Sequence, residues 1–554
     1  MTTFQESTTA PVIDRNVNRS NNIGFLFAGL MVTMLLASLN QTVLSTALPT
    51  IVGELHGVDH MTWVITGYIL ASTIMMPVYG RISDLFGRKP VIITAIVLFL
   101  AGSVVGGLAG SIGVLIVARV LQGLGGGGLM ILSQAAIADV VPARDRGKYM
   151  GLMGAVLAVA SVAGPLLGGW FTEGPGWRWA FWINIPLGLL AILAVTVFLH
   201  LPAREKTERP RIDYLGMTLL AAATTALVLV ATWGGKDYAW TSPQILGLIG
   251  GTVLLAGLFV FVETRATHPV IPLTLFKDRN FTLTTVAALM VGIAMFGAIG
   301  YMPTYLQMVT GVNATEAGLL MMPMMGGLLL ASVISGQVVS RTGRYKFFPL
   351  IGSAVMALGL WLLSTLAVDS PLPVICTYLA VLGIGIGLGM QILTLIVQNS
   401  FPNRIVGTAT AANNYFRQVG ATLGSAVVGS VFASRLTSLV TEKLAATGGS
   451  SGGLSSFTPA SVNALPDAFR LPIIESYNEA LMPIFVFMVP LALVAVVAIA
   501  FLREKPLATG VELEITAESL AEGQLLPMDL EESGSTADAR ESIPSDAGEL
   551  TRIR

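Results

Sequence analysis

Apolar residues along this chain come in long blocks, separated by short polar stretches that carry Lys and Arg. A bilayer core of about 30 Å takes about 20 residues of α-helix. Because lipid offers backbone groups no hydrogen-bond partner, blocks of this length are predicted to be helical. They do not show the alternation of polar and apolar residues that barrel strands require. Fourteen spans are predicted, over residues 24–52, 62–80, 91–110, 112–138, 148–171, 179–200, 214–232, 244–262, 281–308, 315–340, 347–368, 372–399, 405–434 and 481–502.

Composition excludes the soluble alternatives. Charged residues make up 11% of the chain and hydrophobic residues 54%, whereas an average globular protein has roughly 25% charged residues. The 31 basic and 32 acidic residues nearly balance, which argues against a nucleic-acid partner. One cysteine, Cys376, excludes an intramolecular disulfide, and the four histidines are scattered. We therefore expect a partner in the lipid bilayer and neither a metal nor a cofactor.

Basic residues fall on one side of the predicted spans, and the short loops of the other side hold only Arg178 and Lys236. Since basic loops remain in the cytoplasm, both termini are predicted to be cytoplasmic in a multi-pass protein of the cell membrane. Residues 1–22 are predicted as a polar tail, 435–480 as a long extracellular loop, and 503–554 as a disordered acidic tail. The basic side carries Arg81, Arg88, Lys89, Arg144, Arg146, Lys148, Arg204, Lys206, Arg209, Arg211, Arg265, Lys277, Arg279, Arg341, Arg344, Lys346 and Arg404.

The first part of the chain recurs in the second at a near-constant offset. Two related six-helix halves that start on the same side are typical of a parallel-repeat transporter. The predicted fold is therefore an all-α polytopic membrane protein with two pseudo-symmetric six-helix bundles, 23–200 and 281–502, joined by a linker, 201–280, with two inserted helices. The matched landmarks are Gly80, Gly87 and Arg88 with Gly336, Gly343 and Arg344, and Pro142, Arg144 and Gly147 with Pro402, Arg404 and Gly407.

Five motifs carry a specific resemblance. They are GRISDLFGRKP (80–90), ASVAGPLLGGW (160–170), SLNQTVLSTALPTI (38–51), RVLQGLGGGGL (119–129) and WRWAFWINIPLG (177–188). Together with fourteen spans, they resemble the major facilitator superfamily, in its fourteen-helix drug:proton antiporter branch, over about residues 24–502. The resemblance implies an efflux transporter that exports small amphiphilic compounds by alternating access, with the proton gradient as its energy source.

The resemblance also implies residue roles. Asp84, with Gly80, Gly87 and Arg88, would hold the two halves together by reaching the helix that begins near Arg404. Asp139 and Arg144 complete this predicted set of residues for proton coupling and for the conformational latch. The family often has an aspartate where this chain has Asn40, so the proton-coupling role of that position does not carry over. If protons are coupled, Asp84, Asp139 or Glu54 would then have to take part, or the substrate itself would bring the charge. Gly164, Pro165, Gly168 and Gly169 would form a hinge and a seal against proton leak.

Charges deep in the predicted spans indicate a substrate cavity, because buried ionisable residues are costly in a membrane. Arg119 and Arg417 lie well inside, and the amide oxygens of Asn40 and Gln122 are candidate partners for Arg119. Two unpaired arginines predict a preference for neutral or anionic amphiphiles over dications. Methionine and aromatic side chains suit adaptable ligand sites, although simple packing is the alternative. The further cavity residues are Gln41, Tyr301, Tyr305, Gln307, Met325, Asn413 and Asn414.

Other functions stay open from the sequence alone. The chain could be a dedicated exporter of one endogenous metabolite, lipid or antibiotic, or a membrane receptor or scaffold with a signalling tail. No cluster of acid, base and nucleophile indicates an enzyme. A formal G-x-G-x-x-G at Gly123, Gly125 and Gly128 lies inside a predicted membrane helix, so it indicates helix packing and not a nucleotide site. We expect a monomer.

Overall fold

A computed structural model of the chain describes residues 16–57, 60–199, 212–235, 237–446, 462 and 465–507. Several predicted features lie outside the described residues. They are the first fifteen residues of the N-terminal tail, the basic cluster Arg204, Lys206, Arg209 and Arg211, Lys236, and the acidic tail beyond residue 507.

Within the described ranges, fourteen helices are long and apolar enough to cross a membrane, which confirms the predicted number. The same ranges contain no strand beyond an isolated bridge between Gly234 and Tyr238. The first helix itself begins at Asn16, within the predicted tail. The spans are α1 (Ile23–Glu54), α2 (Met61–Phe86), α3 (Arg88–Gly107), α4 (Ile112–Val140), α5 (Ala143–Glu173), α6 (Trp179–Phe198), α7 (Tyr214–Trp233), α8 (Pro243–Glu263), α9 (Arg279–Val309), α10 (Thr315–Thr342), α11 (Phe347–Ser364), α12 (Leu372–Gln398), α13 (Val406–Lys443) and α14 (Asp467–Ala500).

Helices α9 and α10 are interrupted where the sequence places a proline. The regular helix of α9 stops at Ile299 and restarts at Met302, just before Pro303. In α10 the break falls at Met321, just before Pro323. Proline lacks an amide hydrogen and is tolerated in the first turn of a helix, so each span continues as a second segment after its proline.

The same packing pattern occurs in both halves of the chain. Helix α1 packs against α5 and α6, and α4 packs against α2 and α3. In the second half, α9 packs against α13 and α14, and α12 packs against α10 and α11. Each half encloses its own apolar core. The fold of two related six-helix bundles is therefore as predicted.

The two bundles meet tightly at one end, along α2–α13 and α5–α10. A Cβ on Gly80 would collide with Ala411, and a Cβ on Gly336 would collide with the backbone of Gly147. These pairs therefore depend on glycine for their close approach. We call this end, where α2, α4, α10 and α12 finish, the basic end, because it carries the basic loops; the other end is the opposite end.

The inserted helices α7 and α8 lie beside the α2–α13 contact. Helix α7 touches both bundles: the rings of Trp233 and Trp63 meet edge to face at 6.2 Å, and Thr224 shares a 2.8 Å hydrogen bond with the Tyr415 hydroxyl. Helix α8 packs mainly against α7, and most of its residues are exposed. It therefore faces lipid over most of its surface.

The predicted loop 435–480 is shorter in the structure, because helices extend into it from both sides. One helix continues to Ala446 and the next begins at Asp467. Lys443 on the first extension pairs with Glu475 at 3.1 Å and with Glu479 at 2.8 Å on the second. Ion pairs hold these polar helical extensions together. A search for long apolar blocks ends where the polar residues begin, so it does not include these extensions.

The predicted disordered tail does not begin at residue 503, because residues 503–507 are held at the basic end. The Asn280 side chain exchanges two hydrogen bonds with the backbone of Arg503. Lys505 pairs with Asp278 at 3.1 Å, and its amide donates to the Tyr345 hydroxyl at 2.6 Å. Backbone pairing of this kind leaves no signal in residue composition.

Candidate functional site

A cavity of about 550 Å³ lies between the two bundles toward the opposite end. This volume falls in the range of roughly 300–1,000 Å³ that is typical of small-molecule sites. Among the described residues, no Asp, Glu, Lys, Arg or His lines it, and its polar groups are hydroxyls and amides. Its walls are Gln41 of α1, Thr62, Ile65, Thr66 and Ile69 of α2, Val228, Ala231 and Thr232 of α7, Phe296 and Tyr301 of α9, and a stripe of α13 that runs from Gln418 to Ala433.

Two of the predicted cavity residues, Gln41 and Tyr301, line this cavity. The Tyr301 hydroxyl donates to the Ser425 carbonyl of α13 at 3.2 Å. Tyr305 instead lies in the core of the second bundle, where its hydroxyl donates to Asn478 at 2.8 Å. Gln307 donates to the Pro303 carbonyl of its own helix, and Met325 packs against the same core. Tyr305 and Met325 are therefore packing side chains, and none of the three residues lines the cavity.

The walls from α13 and α7 were not identified from the sequence. On α13, Gln418, Thr422 and Ser425 recur at three- and four-residue intervals, and this spacing could have indicated a polar face of the helix. The contribution of α7 had no such signal, because α7 belongs to neither half of the repeat.

Arg119 is enclosed in the first bundle with neutral partners. Its Nη1 donates to Asn40 Oδ1 at 2.5 Å and to Gln122 Oε1 at 2.8 Å, and its Nε donates to the Val64 carbonyl at 3.3 Å. The guanidinium also lies 4.2 Å from the centre of the Tyr68 ring. The two predicted partners of Arg119 are confirmed.

The Arg119 cluster, which we define as Arg119, Asn40, Gln122 and Tyr68, does not border the cavity. Arg119 is only 2% exposed. Gln122 Nε2 in turn donates a hydrogen bond to the Ser103 hydroxyl at 2.8 Å, inside the same bundle. In this conformation the arginine charge therefore binds the helices of one bundle together and gives the cavity wall no charge.

The polar residues of α13 near Arg417 lie deeper than the cavity. Arg417 Nη2 donates to Asn414 Oδ1 at 2.5 Å, and Asn414 Nδ2 donates to Gln134 Oε1 of α4 at 3.2 Å. Asn413 donates to the Thr285 hydroxyl of α9 at 3.4 Å. Asn414 therefore joins the two bundles. Arg417, Asn413 and Asn414 were predicted to line the cavity, but none of them does.

A charged cluster joins α2 to α13 at the basic end. Arg88 Nη2 lies 2.5 Å from Asp84 Oδ1, and Arg88 Nε lies 3.0 Å from Asp139 Oδ2. Asp84 Oδ2 accepts two hydrogen bonds from Thr408, from its amide at 2.6 Å and from its hydroxyl at 2.5 Å. Thr408 lies in the first turn of α13, where a helix favours an anion. The predicted contact of Asp84 with the helix that begins near Arg404 is confirmed.

Two glycines give this Asp84 cluster (Asp84, Arg88, Asp139 and Thr408) its geometry. Gly87 has a φ of 91°, which a residue with a side chain adopts only at a cost, and it places Arg88 at the start of α3. A Cβ on Gly407 would collide with the Arg88 guanidinium and approach Asp84. The cluster therefore needs glycine at both positions.

The α5–α10 contact repeats this arrangement without a carboxylate. The Lys148 amide donates to the Ser340 hydroxyl at 2.9 Å. By the internal repeat, Ser340 corresponds to Asp84 and Lys148 to Thr408. The guanidinium of Arg144 donates to the carbonyls of Ser340 at 3.4 Å and Arg341 at 3.2 Å, at a helix C-terminus that favours a cation. One bundle contact thus has a carboxylate as its acceptor, whereas the acceptors of its counterpart are a hydroxyl and backbone carbonyls.

Two of the four predicted hinge residues shape the contact of α5 with α1. A Cβ on Gly164 would collide with the Thr42 side chain, and a Cβ on Gly168 would approach the Val43 carbonyl. Pro165 lies between them in a helix that continues to Glu173. A Cβ on Gly169 would meet open space, because adjacent residues of a helix do not point to the same face. The hinge and seal roles of these residues stay predictions.

Comparison with known proteins is consistent with this architecture. The family model described as Major Facilitator Superfamily matches residues 30–425. An uncharacterized MFS-type transporter of Mycobacterium tuberculosis is 41% identical over 502 residues, which cover 91% of this chain and 72% of that protein. Multidrug transporter protein MdtP of Bacillus subtilis is 38% identical over 419 residues, 76% of this chain and 77% of that protein. Multidrug resistance protein 3 of Bacillus subtilis is 30% identical over 511 residues, which cover 90% of this chain and 99% of that protein.

Two solved structures share the fold at low sequence identity. The human organic anion transporter MFSD10 superposes with a TM-score of 0.58 at 14% identity, over 86% of this chain and 99% of that one. The proton:xylose symporter XylE gives a TM-score of 0.56 at 17% identity, over 88% of this chain and 98% of that one.

Proposed function

Because the chain belongs to the Major Facilitator Superfamily, we propose that it is a secondary active efflux transporter, which exports amphiphilic drugs or toxic compounds by alternating access in exchange for protons. The observation that carries this proposal is a ligand-sized, uncharged cavity toward the opposite end, combined with close contact of the bundles at the basic end. A chain with one closed end and one cavity is arranged as one of the two states that alternating access requires.

The Asp84 cluster acts in this proposal as the latch of the closed basic end. Its carboxylate joins Arg88 of the first bundle to Thr408 of the second. Rotation of one bundle against the other would separate Asp84 from Thr408 and open the basic end to substrate. The neutral Ser340–Lys148 contact would part in the same movement.

The proposed orientation places the basic end in the cytoplasm, because loops rich in Lys and Arg remain there. The cavity then opens to the outside of a cell membrane and both termini are cytoplasmic. Loading would require the basic end to open, and release would take place from the state described here. We propose that the transporter works as a monomer.

The uncharged cavity favours neutral amphiphiles and disfavours dications. Hydroxyl and amide groups such as those of Thr66, Gln41 and Gln418 can hydrogen-bond a neutral compound. A dication would enter without a carboxylate partner, which is costly away from water. The two Bacillus subtilis relatives are named as multidrug proteins, which supports the proposal that this chain exports several drugs and not a single compound.

Uptake into inside-out membrane vesicles tests this function. With an acidic vesicle interior, a fluorescent neutral amphiphile should accumulate, and collapsing the pH gradient should abolish the accumulation. The variant Thr422→Trp, which fills the cavity wall, should accumulate little. Accumulation that survives collapse of the gradient would contradict proton exchange, and accumulation by vesicles without the protein would contradict transport.

A competition panel in the same vesicles separates a multidrug exporter from a dedicated one. Inhibition by several unrelated amphiphiles is expected, whereas inhibition by a single chemical class would indicate a dedicated exporter. Deletion of residues 508–554 should leave uptake unchanged. Unchanged uptake would remove the case for the receptor or scaffold alternative, in which the tail is essential.

A further inference from the structure

A row of polar side chains runs along α12 inside the contact between the bundles. Gln391, Thr394 and Gln398 follow one another at intervals of three and four residues, so they share one face of the helix. Each of them is at most 2% exposed. Gln398 is the last residue of α12 at the basic end, and Gln391 lies about 10 Å further along the helix. The sequence-based predictions assign these three residues no role.

This row faces the first bundle. Helix α12 packs across the bundle contact against α5, and a Cβ on Gly154 of α5 would lie 3.2 Å from the Gln391 side chain. At the basic end, Gln398 Nε2 donates to the Gln134 carbonyl of α4 at 3.2 Å. Gln134 Oε1 accepts from Asn414 of α13 at 3.2 Å. The row therefore lies on the path between the basic end and the cavity, which the closed contact now fills.

Most polar atoms of the row lack partners. Both amide atoms of Gln391, the Thr394 hydroxyl, Gln398 Oε1 and Gln134 Nε2 are buried and have no hydrogen-bond partner among the described residues. We call Gln391, Thr394, Gln398 and Gln134 the amide face. Folded proteins rarely leave buried polar groups unpaired, because such groups lose their hydrogen bonds to water without replacement. Apolar side chains of the same shape at Gln391 and Thr394 would therefore make the closed contact more stable.

We infer that the amide face binds substrate when the basic end is open, and that it selects neutral compounds rich in hydrogen-bonding groups, such as amides. The inference rests on the proposed alternating access, for which it names the loading site and the chemistry of its ligand. When the bundles part, the α12 row and Gln134 become walls of the entry path. Amide and hydroxyl groups both donate and accept, and none of these four side chains carries a charge. They would pair with uncharged amide, hydroxyl or carbonyl groups spread over about 10 Å of a ligand.

The amide face and the cavity would bind the same ligand in succession. In the closed contact the amide face lies against the other bundle, so a ligand held there prevents closure. The ligand has to move to the cavity before the basic end closes. Loading and release would thus use different residues, and a change in the amide face should affect loading alone.

The test compares two ligands that differ only in their hydrogen-bonding groups. One is a fluorescent neutral amphiphile with two amides, and the other is its analogue with an ethylene unit in place of each amide. Gradient-driven uptake into inside-out vesicles gives a KM for each. A more stable closed state raises both KM values by the same factor, so the ratio of the diamide KM to the analogue KM reports binding. Gln391→Met and Thr394→Val should each raise this ratio about fivefold, the effect of one lost hydrogen bond.

Matched controls replace the same residue types outside the amide face. Thr377→Val changes an exposed threonine of α12, and Gln244→Met changes an exposed glutamine at the start of α8. Both should leave the ratio unchanged. An unchanged ratio in Gln391→Met and Thr394→Val, with folded protein by size-exclusion chromatography, would overturn the inference.

A second measurement reports the closed contact itself. Ser332 of α10 is 1% exposed and donates to the Gly151 carbonyl of α5 at 3.2 Å. Ser332→Cys in a Cys376→Ser background therefore reports separation of the bundles, through labelling by a membrane-impermeant maleimide from the basic side. Thr394→Val removes an unpaired polar atom from the closed contact, so labelling should slow at least about fivefold. Equal or faster labelling would mean that the hydroxyl does not weaken the closed contact, and the inference would fail.

Failure of the inference and failure of the proposed function give different results. Fluorescence anisotropy of the diamide on the purified full chain measures binding without a proton gradient. If unmodified vesicles show gradient-driven uptake and the variants keep the KM ratio, export stands and the amide face is not the loading site. If the vesicles show no such uptake, but Gln391→Met weakens binding of the diamide about fivefold more than binding of the analogue, the loading site stands and proton-coupled export fails.

Discussion

Replacing Thr408 by Val should open the basic end. Thr408→Val keeps the backbone amide and the side-chain shape, but it removes the hydroxyl that donates to Asp84 Oδ2 at 2.5 Å. A hydrogen bond to a charged group contributes about 1.5–3 kcal/mol. Since each ~1.4 kcal/mol is a factor of ten in an equilibrium constant, the ratio of open to closed basic ends should rise about 10- to 150-fold.

The assay is the rate of maleimide labelling of Ser332→Cys from the basic side, with Cys376 replaced by Ser. As long as the open state is the minor one, this rate is proportional to its population, so the labelling rate should rise by the same factor. Thr377→Val is the matched control, because the Thr377 hydroxyl is exposed and, among the residues that the structure describes, bonds only to the Pro373 carbonyl of its own helix at 2.7 Å. A rate within twofold of the unmodified chain for Thr408→Val would refute the assignment of Asp84 and Thr408 as a latch.

Three further predictions concern the neutral contact, the Arg119 cluster and the glycine at the latch. Ser340→Ala removes a neutral acceptor worth about 0.5–1.5 kcal/mol, so labelling in the same assay should rise only about 2- to 12-fold; a rise as large as that of Thr408→Val would contradict the difference between the two contacts. Asn40→Ala should destabilise the folded chain by about 1.5–3 kcal/mol because Arg119 loses an acceptor; thermal unfolding measures this, and Gln41→Ala, on the cavity wall, should have a much smaller effect. Gly407→Ala should prevent closure of the basic end and abolish gradient-driven uptake while the protein still folds, whereas Gly257→Ala, which has open space around it, should leave uptake unchanged.

The number of helices could be predicted from runs of neighbouring residues, and the Asp84 contact from a short motif that resembles a known family. An apolar block of bilayer length is a property of consecutive residues. The contact of Asp84 with the helix that begins near Arg404 was implied by the resemblance of the loop around Gly87 to a family motif. The partners of Arg119 were predictable for a different reason: a buried guanidinium requires acceptors, and few polar groups lie at its depth.

The cavity was only partly predictable. Tyr305 and Met325 have residue types that suit a ligand site, but the same types pack helices, and their surroundings decide between the two uses. Arg119 was expected to influence the cavity, yet its neutral partners hold it inside one bundle. Composition cannot distinguish these cases, because it contains no information on which side of a helix faces the other bundle.

The sequence by itself determined that this chain crosses a membrane fourteen times in two related halves, because insertion into lipid depends on runs of neighbouring residues. Only the tertiary structure decided which polar groups meet across the bundles, and that α7 forms a wall of the cavity. Glu263 and Asp213 lie fifty residues apart, and they approach because α7 and α8 form an antiparallel pair that returns the chain to the basic end. Helix tilt and rotation place such groups, and these follow from the packing of whole helices and not from any local pattern.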